Sequence, residues 1–96
     1  MREVLYNDDA ITDLIEIGIY TEIEWGGAQW ELYRALLIET CEQIIPRELN
    51  FARAVPERPG LLRWRCEQHQ IYFRVDERSV EILRILHERM LPARHL

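Results

Sequence analysis

Four arginines sit inside short apolar runs: Arg63 and Arg65 in LRWRCE, Arg74 in IYFRV and Arg84 in VEILRIL. On extended strands alternate side chains share a face. Strands in register would bring the four guanidinium groups within about 5 to 10 Å of one another. Such a cluster binds anions, because guanidinium makes planar two-point contacts to carboxylate or phosphate and takes up no proton near neutral pH. Phosphate, a nucleic-acid backbone and the carboxylates of a protein partner are the ligand classes. The same side chains could instead neutralise acids on neighbouring helices or lie in solvent. His87 ends the last run and could act as a general acid or base, with nearby arginines favouring its neutral form. A hydrogen-bonded strand-end histidine is the plainer alternative.

The other histidines, His69 and His95, lie far from His87 in sequence and lack matching Asp or Cys spacing, so no metal is expected, and no cofactor. A P-loop, a dinucleotide fingerprint and a nucleophile elbow are all missing. Ser79, the one serine, falls in a turn. Cys41 and Cys66 stand alone in apolar surroundings and read as buried hydrophobes. Trp25, Trp30 and Trp64 read as packing residues.

Charge divides the chain. Residues 1–57 hold 4 Arg against 12 Asp and Glu, and residues 58–96 hold 8 Arg against 5 acids, for a net −5 overall. All 12 basic residues are arginine. Ninety-six residues with 48% hydrophobic content suit one domain spanning residues 1–96, with a modest core. No run approaches the length of a membrane span, and the amino terminus shows no leader, so a cytoplasmic protein is expected.

The elements that would carry these side chains follow from periodicity. Arg2 to Tyr6 suggests a strand, and Asn7, Asp8 and Asp9 offer N-caps for a helix from Ala10 to about Trp25. Its inner face is expected at Ala10, Leu14, Ile17 and Tyr20, with Gly18 marking close packing. A second stripe at Ile15, Ile19 and Ile23 leaves more apolar surface than a small core uses, which suggests a protein partner. Gly26-Gly27 breaks the helix, and a second runs from about Ala28 to Ile45 with Trp30, Tyr33, Leu37, Cys41 and Ile44 inward, until Pro46 ends it. A loop follows to Gly60. Leu62–Glu67, Gln70–Val75 and Val80–Leu86 then read as an antiparallel meander. The expected fold is α+β, in the order β-α-α-β-β-β. A helical hairpin covers one face of a small, mainly antiparallel sheet and leaves the arginine-bearing face partly open.

With these residues in place, the chain resembles the ParE-type toxins of the RelE/ParE superfamily from bacterial type II toxin–antitoxin systems. The resemblance rests on Ala10, Asp13-Leu14, Ile17, Tyr20-Thr21, Trp25-Gly26 and Gln29, then Tyr33 and Leu37. It continues through Arg58-Pro59-Gly60-Leu61, Tyr72-Phe73-Arg74-Val75, Val80 to His87, Arg89-Met90 and Arg94-His95-Leu96. It departs at Trp30, Leu62, Glu67 and Leu91. The resemblance implies a ParD-like antitoxin with a ribbon-helix-helix amino terminus, DNA contacted only through that antitoxin, no membrane association, and DNA gyrase as the poisoned target. The chain would then not be an enzyme. Arg63, Arg65, Arg74, Arg84, His87 and Arg89 are the expected partner-binding residues. A RelE-like, ribosome-dependent mRNA endonuclease is the alternative, with Arg63, Arg65 and Arg84 stabilising the phosphorane and His87 or Glu67 moving protons. An inactive relative acting only in a repressor complex is the third reading, motivated by Leu62 and Leu91.

Overall fold

The computed structural model describes residues 2–96. Strand β1 (Glu3–Tyr6) leads into helix α1 (Asp8–Trp25). Asn7 caps α1, its Oδ1 accepting from the Ala10 N–H at 3.1 Å, and Asp8 and Asp9 place negative charge at the positive end of the helix dipole. Gly26 closes α1 in the left-handed region at φ 93°, where a side chain would be strained. Helix α2 (Gly27–Glu39) returns antiparallel to α1 and widens into a π-helical turn at Thr40–Ile44 before the short α3 (Ile45–Arg47). Pro46 therefore does not stop the helix where expected. The preceding turn opens instead, with Ile45 N–H bonding to Thr40 O, and the wider turn accommodates a ring that would crowd the carbonyl four residues back.

The sheet has five strands in the order β1-β5-β4-β3-β2. They are β2 (Arg53–Ala54), β3 (Leu62–Cys66), β4 (His69–Val75) and β5 (Ser79–His87), with β1 parallel to β5 and the other pairs antiparallel. The expected topology stands, and the two-residue β2 is added from a segment read as loop. The β3–β4 turn puts Glu67 at φ 52°.

The core lies between the helical hairpin and the sheet. Ala10, Leu37, Cys41 and Ile45 from the helices meet Ile71, Phe73, Val80 and Ile82, all buried. Tyr20 is a correction: it is 63% exposed, and Thr21 and Gly18 take the inward positions. Gly18 is needed there, since a Cβ would come within 2.8 Å of the Trp30 indole. The other sheet face is also partly covered. Val55, Tyr72 and Leu86 form a second small cluster, with Leu61 and Leu96 packed against it.

Candidate functional site

The four arginines do not form one cluster. Arg63, Arg65 and Arg74 lie on the sheet face away from the hairpin, by their register with Tyr72, Gln70 and Glu81. Arg65 pairs with Glu88 and also donates to the Glu67 carbonyl. Arg74 pairs with Glu81 at 2.8 Å, across the β4–β5 ladder. Both pairs are largely exposed and carry little energy. Arg84 pairs with the same Tyr72 as Arg63, past an irregularity between Tyr72 and Phe73, but its guanidinium is held elsewhere: it reaches Asp13 on α1 with Nε at 2.8 Å and Nη2 at 2.9 Å. Of these, only Arg84 neutralises an acid on a helix; Arg65 and Arg74 pair with acids on and just beyond β5. Arg63 alone has no ion-pair partner among these four, and it faces Arg53 directly across β2–β3. That juxtaposition was invisible because β2 had no periodicity to betray it.

A deeper groove than the arginine face offers lies at the edge of the sheet. β1 covers β5 only as far as Ile82, where the Asn7 N–H bonds to the Ile82 carbonyl. Beyond that point β5 has no strand on its outer side among the described residues. The free edge opens into a groove of about 1010 Å³ under α1, lined among others by Ile17, Tyr20, Trp25, Tyr33, His69 and His87. Asp13, 6% exposed, guards its floor: besides Arg84, its Oδ2 accepts the outward Ile85 N–H at 2.9 Å. Arg84 also donates to the His95 carbonyl at 2.7 Å and so ties the carboxy-terminal helix α4 (Pro92–His95) to the groove. On another face α1 presents Ile11, Ile15, Ile19 and Ile23, every fourth residue and all exposed. The apolar surplus expected from the sequence is thus on the outside of the molecule.

At the groove's inner end His69 and His87 face each other across β4–β5, their ring centroids 5.5 Å apart at 82°. Tyr33 Oη lies 2.6 Å from His69 Nδ1. Burial first, and the neighbouring His87 second, push the His69 pKa down to about 4. His87, expected as a general acid or base, has one ring nitrogen engaged. The Arg89 N–H donates to its Nδ1 at 3.1 Å, so the proton of the neutral ring sits on Nε2. Only the backbone of Arg89 takes part in this contact. Glu67, the other expected proton carrier, is exposed in the β3–β4 turn. Both cysteines are buried and unpaired, and burial pushes the Cys41 thiol up to about 12. No cluster of three or more potential metal ligands occurs among the described residues, and no helix there is long and apolar enough to cross a membrane.

Residues 4–92 match the model of the ParE toxin of the type II toxin–antitoxin system parDE. Toxin ParE of Escherichia coli is 34% identical over 92 residues, covering 94% of this chain and 88% of that protein. Among solved structures, the chromosomal ParDE toxin–antitoxin system of P. aeruginosa superposes with a TM-score of 0.78 at 22% identity, covering 91% of this chain and 96% of that one. A chain of the RelBE2 toxin–antitoxin complex of Mycobacterium tuberculosis gives 0.65 at 21% identity, covering 90% and 96%. These two likenesses describe the fold. The family match and the E. coli relative, over nearly the whole length, show that this chain belongs to the ParE toxin family of type II toxin–antitoxin systems.

Proposed function

We propose that the chain is a toxin that poisons DNA gyrase without catalysing a reaction, and that a cognate antitoxin silences it by seating a segment in the groove between α1 and the free edge of β5. The observation that carries the antitoxin contact is that edge: β5 runs past Ile82 with no outer partner, beside an open apolar groove. An extended segment could add there as a strand, with apolar side chains reaching under α1. The solved relatives described as toxin–antitoxin complexes support a partner of this kind. The antitoxin is expected to be ParD-like, with a ribbon-helix-helix amino terminus that makes any DNA contact.

The non-enzymatic reading is supported by the dispersal of the arginines. An RNA-cleaving centre needs cations and a proton carrier converging on one phosphate. Here Arg84 is held by Asp13 across the edge from Arg63, and His87 turns a protonated nitrogen outward. One observation favours the endonuclease alternative: Arg53 and Arg63 stand opposed on β2–β3, and with Arg65 they line one concavity shared with Phe51 and Gln70. Expression without the antitoxin separates the readings. Arrest with DNA breaks and an induced DNA-damage response supports gyrase, whereas arrest with cut messages and intact chromosomes supports the ribosome. Unimpaired growth supports an inactive relative.

A further inference from the structure

We propose that His69 and His87 form a two-point subsite for an amide group in the α1–β5 groove, with His87 donating to the carbonyl oxygen and His69 accepting from an N–H. The inference rests on the proposed seating of the antitoxin in this groove and adds the chemistry by which the groove recognises its occupant.

Proton placement sets the polarity of the two rings. A backbone N–H can only donate, so the Arg89 contact leaves His87 Nδ1 without a hydrogen and puts the ring proton on Nε2. Tyr33 has one hydroxyl proton and three polar neighbours: His69 Nδ1 at 2.6 Å, the Cys66 carbonyl at 3.2 Å and the Gln68 N–H, which can only donate. The carbonyl can only accept. All three contacts are hydrogen bonds together only when Tyr33 donates to Cys66 and accepts from Gln68 and from a proton on His69 Nδ1. That leaves His69 Nε2 as a bare acceptor. Neither Nε2 has a hydrogen-bond partner among the described residues. No buried side-chain nitrogen or oxygen there lacks a partner, so both Nε2 atoms are accessible from the groove that the two rings line.

A donor beside an acceptor complements an amide, which presents one oxygen and one N–H. A carboxylate offers acceptors alone and an ammonium donors alone, so either leaves one imidazole unmatched, at a cost where the walls exclude water. A metal ion suits the pair poorly. It would displace the His87 Nε2 proton while Nδ1 still faces an N–H, and no third ligand is at hand. The depressed pKa of His69 keeps its acceptor available at neutral pH.

Two measurements test this. Nitrogen-15 NMR of the imidazoles in the free protein should give an Nδ1–H tautomer for His69 and an Nε2–H tautomer for His87; any other pairing overturns the proposal. Calorimetric titration with the purified cognate antitoxin should then show His69→Phe and His87→Phe each weakening binding by roughly three- to tenfold. An Asn→Ala or Gln→Ala change in the antitoxin that reproduces the loss, and adds nothing further to the histidine variants, assigns the amide to a side chain. Loss with the histidine variants alone assigns it to the backbone. Tyr20→Ala, at the groove wall, separates the two failures. If Tyr20→Ala weakens binding and the histidine variants do not, the subsite is overturned and the groove stands. If none of the three weakens binding, the antitoxin does not occupy the groove and both readings fall.

Discussion

Replacing Asp13 with Ala probes the joint that holds α1, β5 and the carboxy-terminal helix together. The carboxylate accepts three hydrogen bonds, two from Arg84 and one from the Ile85 N–H, all at 2.8 to 2.9 Å. Removing it leaves a guanidinium whose side chain is only 22% exposed, with the His95 carbonyl as its remaining partner, and orphans a buried amide. Breaking a buried pair costs about 3 to 5 kcal/mol. Arg84 can turn partly to water, so roughly half of that survives. The orphaned N–H adds about 1 to 3 kcal/mol. The expected loss is therefore about 4 kcal/mol, or a fall in Tm of roughly 16 to 32 °C for a chain of this size. Urea unfolding followed by tryptophan fluorescence measures it. Asp13→Asn retains an oxygen for Ile85 and should cost about half as much. A double-mutant cycle with Arg84→Met should return a coupling of about 2 kcal/mol. A loss below about 0.5 kcal/mol with coupling near zero would refute the view that Asp13 anchors the edge.

Other outcomes follow from the packing. Gly18→Ala should destabilise by about 1 kcal/mol, because overpacking against the Trp30 indole outweighs the helix-propensity gain, and it should become neutral or better in a Trp30→Leu background. Glu67→Gly should stabilise by about 0.5 to 1 kcal/mol in the same unfolding assay, by relieving the left-handed backbone at φ 52°. His69 has its folded pKa depressed to about 4 against 6.5 for the free group. The unfolded chain therefore binds more protons between those values, so stability rises with pH through that window and is lost as pH falls through it. With discounting for partial exposure the effect is about 1 to 2 kcal/mol, and His69→Gln should flatten that part of the pH–stability curve. Cys41, whose thiol burial pushes up to about 12, should react with a thiol reagent in native protein only at the rate of unfolding.

The order and type of the long elements were legible because each has one buried face and a clear period. Ala10, Leu14 and Ile17 mark α1, and Ile71, Phe73 and Val75 mark β4. The exposed isoleucine stripe was equally plain. What stayed hidden depends on contacts distant in sequence. The Asp13–Arg84 pair joins residues 71 apart in sequence. Arg84 does share a register line with Arg63 through Tyr72, but its guanidinium is held by Asp13 on a helix that no strand pattern brings to it. The groove was illegible for a related reason. It exists because β1 stops at Tyr6 while β5 continues to His87, a mismatch of strand lengths across a parallel pair that no local pattern encodes. The role of His69 depends likewise on Tyr33, brought to it by the hairpin.

The central claim is tested most directly by incubating the purified chain with DNA gyrase, ATP and supercoiled plasmid, then trapping cleaved DNA with denaturant. A gyrase poison should give gyrase-dependent double-strand cleavage that rises with toxin and disappears when the cognate antitoxin is added first. Undiminished supercoiling with no trapped cleavage, alongside ribosome-dependent cutting of mRNA by the same preparation, would contradict it.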